Sequence, residues 1–279
     1  MLWGRQPGAD PLLIRIPHLR PLLPGRLVDR YERFIAEIEL DSGERVRAHC
    51  VNPGRMEGIV VPGARVWVWA VEPQSNRKLR FTWELVEDQG LIIGANTVAP
   101  NRIIGELLAA KVLPGLRRYR ALLREVAYGE RSRVDFLLEG ATPHYVEVKN
   151  SHLRYPDGRG YFPDSVSARA THHLLALGEV VAAGAKATVL FASQRPDVTA
   201  IRPSILHDPA FAAAARAAAD AGVRFRAVAI RATPAAYEVL REIPVDLSIY
   251  ATADHERWRE QGRLQSGWRR DPLRKPQTP

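Results

Sequence analysis

A chain of 279 residues that is 46% hydrophobic and 25% charged has enough apolar material for one large domain or two ordinary ones at ~100–200 residues each, which excludes disorder as its main state. Basic residues outnumber acidic ones 40 to 31, unevenly: 13 against 12 in residues 1–95, 20 against 15 in 96–247, and 7 against 4 in 248–279. The second half and the tail therefore point to a phosphate-rich or otherwise acidic partner, with a merely solvated basic surface as the alternative. A single cysteine, Cys50, excludes an intrachain disulfide and a thiolate zinc centre. Charges and prolines interrupt the first two dozen residues, and no apolar run reaches 18, so a signal peptide and a membrane span are not expected and the reading is a soluble, cytoplasmic protein.

Residues 1–24 read as an N-terminal extension. From Gly25 to Ala95 the chain is a series of β runs at 28–40, 45–51, 65–71, 80–87 and 91–95, with turn signals at Asp41-Ser42-Gly43 and Pro62-Gly63. Five runs without helical periodicity predict a five-stranded OB-like β-barrel over residues 25–95, or else a sandwich fragment. Trp67 and Trp69 share a strand face, as a platform for unpaired bases or as core. Arg77, Lys78 and Arg80 beside Trp83 read as a phosphate-plus-aromatic patch.

After Asn96 helices alternate with strands. Ile103, Ile104, Leu107, Leu108 and Val112 recur at helical spacing up to Pro114-Gly115, and short strands at 134–138 and 144–148 flank a turn. A helix at 166–183, a buried strand at 187–192, an alanine-rich helix at 210–221 and a strand at 223–230 complete an α/β domain over residues 96–247. Residues 248–279 form a basic tail with Trp258 and Trp268 and no core pattern after Gln261.

The sharpest local signal is Ser132-Arg-Val-Asp135-Phe-Leu-Leu followed by Tyr145-Val-Glu147-Val-Lys149. Glu147 and Lys149 are two apart on a strand and leave one face together, and a hairpin of this length brings Asp135 opposite them. Two carboxylates and an ammonium at one point suit phosphodiester hydrolysis: the carboxylates hold Mg2+ or Mn2+, which activates a water, and the lysine stabilises the charge developing on phosphorus. A surface hairpin with an ordinary Glu/Lys ladder is the alternative. Phe136, Leu137, Val146 and Val148 favour core strands, where charged groups need a reason. Lys149 is one of five lysines among forty cations. The helix–strand–strand–helix order is that of a restriction-endonuclease-like PD-(D/E)xK domain. Arg131 and Arg133, like Arg117, Arg118 and Arg120, are phosphate contacts or a solvated face. His172 and His173 diverge by about 100° on a helix and do not chelate one ion together.

Over residues 20–247 the sequence resembles the sugar fermentation stimulation protein A family. The resemblance rests on Gly25-Arg-Leu, Arg30-Tyr31, Arg33-Phe34, Asn76-Arg-Lys-Leu, Thr82-Trp-Glu-Leu, Asn96-Thr97, Asn101-Arg102, Ser132-Arg-Val-Asp-Phe-Leu-Leu, Val146-Glu-Val-Lys-Asn and Tyr161-Phe-Pro-Asp. It implies DNA association, an OB-type barrel and a nuclease-like domain, with Asp135, Glu147 and Lys149 as the catalytic set and Glu106 as a further metal carboxylate. The family's Arg-Gly-Gln-Lys-His-Leu helix is here Arg169-Ala-Thr-His172-His-Leu, so His172 replaces a permanent cation. Arg55 stands where a small residue is usual and adds a phosphate contact; Arg102 and Arg169 are carried over as further contacts. The resulting expectation is a DNA-binding, Mg2+- or Mn2+-dependent nuclease with little sequence preference, or alternatively a non-catalytic DNA-binding regulator of sugar catabolism genes, with no membrane partner.

Overall fold

The computed structural model describes residues 14–128 and 132–262. The chain opens with β1 (Ile14–Pro17), then builds β2 (Leu23–Tyr31), β3 (Ile35–Leu40), β4 (Arg45–His49), β5 (Arg65–Ala70), β6 (Phe81–Asp88) and β7 (Leu91–Gly94). These are followed by α1 (Ala99–Ala109), β8 (Ala121–Tyr128), β9 (Ser132–Glu139), β10 (His144–Ser151), β11 (Leu153–Arg154), β12 (Gly160–Phe162) and α2 (Ala168–Ala182). The last elements are β13 (Lys186–Ser193), β14 (Ile201–Pro203), α3 (Pro209–Asp220), β15 (Arg224–Ala232), β16 (Ala236–Ile243) and α4 (Ala253–Gly262).

The barrel is closed by five strands, in the order β4-β3-β2-β5-β6 with β6 returning to β4 through the Ala48–Phe81 and His49–Thr82 pairs. The strand number matches the sequence reading, but the membership differs. The 28–40 run breaks into β2 and β3 at Glu32 and Arg33, both in left-handed backbone (φ 47° and 66°) although neither is glycine. Arg30, fully buried, holds that turn by donating from Nε to the Arg33 carbonyl at 2.9 Å. The 91–95 run becomes β7, which lies outside the closure and pairs with β6 across a Gln89-Gly90 turn. Leu27, Ile38, Val46, Val66, Val68, Trp83 and Val86 fill the barrel.

The second domain is a seven-stranded sheet in the order β1-β16-β15-β13-β10-β9-β8. Its strands β10, β13 and β15 run parallel, and β13 is apolar on both faces as a doubly covered strand must be. Val189 and Phe191 meet α2 and α3, with Leu174, Leu177, Phe211 and Ala215. Leu190 and Ala192 face the other way, into a core shared by α1 and the outside of the barrel. Pro100 sits in the first turn of α1, Ser167 Oγ caps α2 by accepting from the Ala170 amide at 3.3 Å, and Asp208 caps α3 through the Phe211 amide at 2.9 Å.

Several boundaries differ from the sequence reading. Residues 14–17 of the expected N-terminal extension form β1, an edge strand of the second sheet. The first helix ends at Ala109, before Pro114-Gly115. Part of the expected tail is α4, whose Trp258 stacks near Tyr155 at 5.9 Å between ring centres. Trp268 lies outside the described residues. Among the described residues no helix is long and apolar enough to cross a membrane.

Candidate active site

The β9–β10 ladder runs through Leu138–His144, Leu137–Tyr145 and Phe136–Val146 and stops one pair short of Asp135 and Glu147, which lie opposite each other in register. The Asp135 side chain takes over there. Its Oδ2 accepts from the Val148 amide at 2.6 Å, and its Oδ1 accepts from Asn101 Nδ2, in the first turn of α1, at 2.7 Å. Glu147 and Lys149 emerge on one face of β10, 3% and 9% exposed. Glu147 Oε1 accepts two hydrogen bonds, from Lys149 Nζ at 2.6 Å and from His173 Nδ1 at 2.5 Å. Arg169 Nε lies 3.4 Å from the other nitrogen of that imidazole. Glu147 Oε2 is buried without a hydrogen-bond partner.

The two carboxylates are electrostatically unequal. Burial and the neighbouring charge of Glu147 push Asp135 up to about 6, whereas Glu147, despite the upward push of burial, is held low by His173 and Lys149. A pair of opposed carboxylates with one orphaned oxygen fits a divalent cation, an oxygen-seeking ligand that would satisfy Oε2 and neutralise the pair. Asp135 and Glu147 are the donors present. Glu106 does not join them: it is exposed, five residues and about 140° around α1 from Asn101, which is the α1 residue that reaches Asp135. Among the described residues no three His, Cys, Asp or Glu side chains converge as a metal site.

A cleft of about 520 Å3 opens between the barrel and the second domain. Arg33, Asn52 and Gly54 line it from the barrel side, and Lys149, His152 and Arg169 from the other. The barrel wall is made stiff by Arg30, which donates to the carbonyls of Asn52 at 2.7 Å, Gly54 at 3.0 Å and Arg55 at 3.3 Å. An added Cβ at position 54 would lie 2.5 to 2.9 Å from the Asp164 carboxylate, so any side chain there must displace that group.

A model for the sugar fermentation stimulation protein RE domain matches residues 98–236, and one for the SfsA N-terminal OB domain matches residues 28–95. The chain belongs to the sugar fermentation stimulation protein family. A homolog from Maricaulis maris is 45% identical over 229 residues, 81% of this chain and 97% of that protein. A homolog from Rhodospirillum centenum is 44% identical over 216 residues, 77% of this chain and 92% of that one. The structure of Pyrococcus furiosus SfsA in complex with Ca2+ superposes with a TM-score of 0.76 at 26% identity, covering 84% of this chain and 99% of that chain.

Among the basic residues read from the sequence, Arg169 lines the cleft, and Arg55, in the family loop 50–56, is exposed at its edge. Arg133 is exposed on β9 and by strand alternation shares the face of Asp135. Lys78 is exposed away from the cleft lining. Arg77 and Arg80 spend their donors on the β5–β6 connection and the start of β6: Arg77 on Thr82 Oγ1 at 3.2 Å, Arg80 on the carbonyls of Ser75, Glu72 and Pro73 at 2.6 to 3.1 Å. Arg102 donates to the Pro17 carbonyl at 3.0 Å. Arg131 lies outside the described residues. His172 points outward, and its neighbour His173 is the histidine at the site. A bulge between Trp67 and Val68 separates the two strand tryptophans: Trp67 enters the core between the domains, and Trp69 donates to Glu84 at 3.0 Å. Sequence reasoning missed Asn101 and His173 as site residues. His173 carried a signal, since it shares the buried helical stripe of Ala170, Leu174 and Leu177.

Proposed function

We propose that this protein is a divalent-cation-dependent phosphodiesterase acting on DNA, with Asp135, Glu147 and Lys149 as its catalytic set. The observation that carries this reading is the orphaned, buried Oε2 of Glu147, a residue in register with Asp135 on the opposite strand and close enough for its charge to raise the Asp135 carboxyl. A buried acceptor without a partner is costly unless a ligand takes it. The Ca2+ complex of the Pyrococcus furiosus relative supports a divalent cation as that ligand.

A cation held by Asp135 and Glu147 would activate a water and neutralise charge at phosphorus. The protein's own groups prepare the rest. Asn101 and the Val148 amide fix the Asp135 carboxylate, and the Arg169–His173 pair together with Lys149 holds Glu147 so that Oε2 stays turned away from its neighbours. Lys149 lines the cleft and places a positive charge where a phosphate enters, so negative charge that grows during attack meets a preorganised cation. Arg169, Arg55 and Arg133 supply phosphate attraction without base specificity.

The test is a cleavage assay with Mg2+ and with Mn2+ beside a DNA-binding titration in chelator. Wild type should cut. Asp135→Asn should lose cleavage by orders of magnitude while binding as well or slightly better, since a repelling charge is gone, and Lys149→Ala should lose cleavage and some affinity. Wild type that binds every DNA form but cuts none, or Asp135→Asn that cuts normally, overturns catalysis and leaves a DNA-binding regulator.

A further inference from the structure

Beside the catalytic set, the cleft contains two buried donor groups that no part of the mechanism uses. Asn52 is 3% exposed; its Oδ1 accepts from the Gly54 amide at 2.9 Å, which fixes the amide and leaves Nδ2 without a partner. His152 is 5% exposed, and neither ring nitrogen makes a hydrogen bond, although Nε2 lies 3.5 Å from Asp164 Oδ2. Both residues line the same cleft as Lys149, one from each wall. With His152 Nε2 turned to Asp164, Asn52 Nδ2 and His152 Nδ1 are the nitrogens left unmet on two facing walls, and they call for an acceptor-rich ligand between them. Arg33 and Arg169 line the cleft too, against one lining carboxylate, Asp164, whose Oδ2 already accepts from the Met56 amide at 2.8 Å. The complement of that wall is an anion with several oxygens.

The rim has a different character. Val166 lines the cleft at 77% exposure, and Phe34 at 46% and Val98 at 62% are exposed apolar residues one position along the chain from the lining residues Arg33 and Thr97. Phosphate-binding groups inside and apolar surfaces at the mouth match a nucleic-acid strand whose bases are unpaired, since every base has a face to lay on an apolar or aromatic side chain. A cleft of about 520 Å3 has room for a short piece of one strand.

We propose that the cleft is a single-strand site, in which Asn52 and His152 bind the backbone phosphate next to the one presented to Lys149 while Phe34, Val98 and Val166 carry the flanking bases. This rests on the phosphodiesterase reading above and names its substrate class: a strand that is unpaired where it is cut.

The experiment measures binding of a labelled oligothymidylate, a matched duplex and thymidine monophosphate in chelator, with melting temperature as the fold control. Wild type should bind the single strand at least about tenfold more tightly than the duplex. Phe34→Ser should lose roughly 5-fold or more for the single strand, the lower end of a stacking contact, and leave duplex binding unchanged. His152→Leu should weaken single-strand binding by about tenfold. Should His152→Leu fail to fold, Val166→Asp, at an exposed position, should weaken the same ligand. Equal affinity for duplex and single strand, or unchanged single-strand affinity in Phe34→Ser and Val166→Asp, overturns the proposal while DNA binding and cleavage stand. Mononucleotide binding as tight as that of the oligomer replaces the strand by a free nucleotide. No binding of any of the three overturns this proposal and the phosphodiesterase reading together.

Discussion

Asp164, at the entry to α2, accepts a hydrogen bond from the Met56 amide in the barrel at 2.8 Å. A side chain of one domain thus replaces a main-chain partner in the other. Burial pushes the Asp164 carboxyl up, but His152 and the Met56 amide hold it down to about 2. With the folded value below the ordinary 3.8, its stabilisation is complete above pH 3.8 and disappears as pH falls toward 2, about 2 kcal/mol by linkage. Asp164→Ala should therefore melt lower than wild type at pH 7, by ~4–8 °C, and the difference should narrow on acidification toward pH 2. Gly54→Ala should reproduce the loss at neutral pH, because its Cβ displaces that carboxylate. Unchanged melting in both variants would show that the contact contributes nothing.

Asp135 works with the opposite sign. Its folded value of about 6 exceeds the ordinary 3.8, so its contribution is complete below pH 3.8 and is lost as pH rises through 6. At neutral pH without metal the ionised group costs about 3 kcal/mol. Asp135→Asn in chelator should melt higher than wild type at pH 7.5 and equal to it near pH 4. Excess Mg2+ should raise the wild type and leave the variant unmoved. A variant that melts below wild type at pH 7.5 in chelator would contradict the charge repulsion assigned to this pair.

Truncation separates two parts of the tail. His255 and Trp258 of α4 pack on Tyr155 and Tyr161, and Arg259 lies 3.5 Å from the buried Glu57 of the barrel, which also accepts from Tyr155 at 2.9 Å. Ending the chain at residue 252 should lower the melting temperature by several degrees. Ending it at residue 262 should reduce the salt slope of DNA binding, since Arg263, Arg269, Arg270, Arg274 and Lys275 are removed. A salt slope identical to full length would assign those cations no phosphate contact.

Arg55 and Arg80 make a paired test of what a basic residue is for. Arg55 is exposed beside the cleft, so Arg55→Ala should reduce the slope of log affinity against log salt by roughly 0.7 on single-stranded DNA with melting unchanged. The Arg80 guanidinium is spent on three carbonyls, so Arg80→Ala should lower melting and leave the slope alone. The reverse pattern would exchange their roles.

Much of the site was legible because strand alternation is rigid: an apolar residue between Glu147 and Lys149 forces both to one face, and a short hairpin forces Asp135 opposite. Helical phase toward a distant strand is not local, so Glu106 and Asn101 were equally available on α1 until the helix was docked. His172 drew attention as the altered family position, yet the buried stripe of α2 selects its neighbour. The β2–β3 turn was invisible because it has no glycine and depends on Arg30 reaching across to Arg33. The strand β8 escaped as well: it is a half-exposed edge, Ala-Leu-Leu-Arg-Glu-Val-Ala-Tyr, whose exposed and half-buried positions follow no alternation.

Trp67 and Leu85 lie on barrel strands, yet they pack into the core of the sheet and α1. The barrel is consequently no detachable module, since alone it would turn a tryptophan and a leucine to water. It follows that the spacing of the two cleft walls is set by a solid joint of packed side chains. Such a joint makes the shape of the cleft a product of core packing.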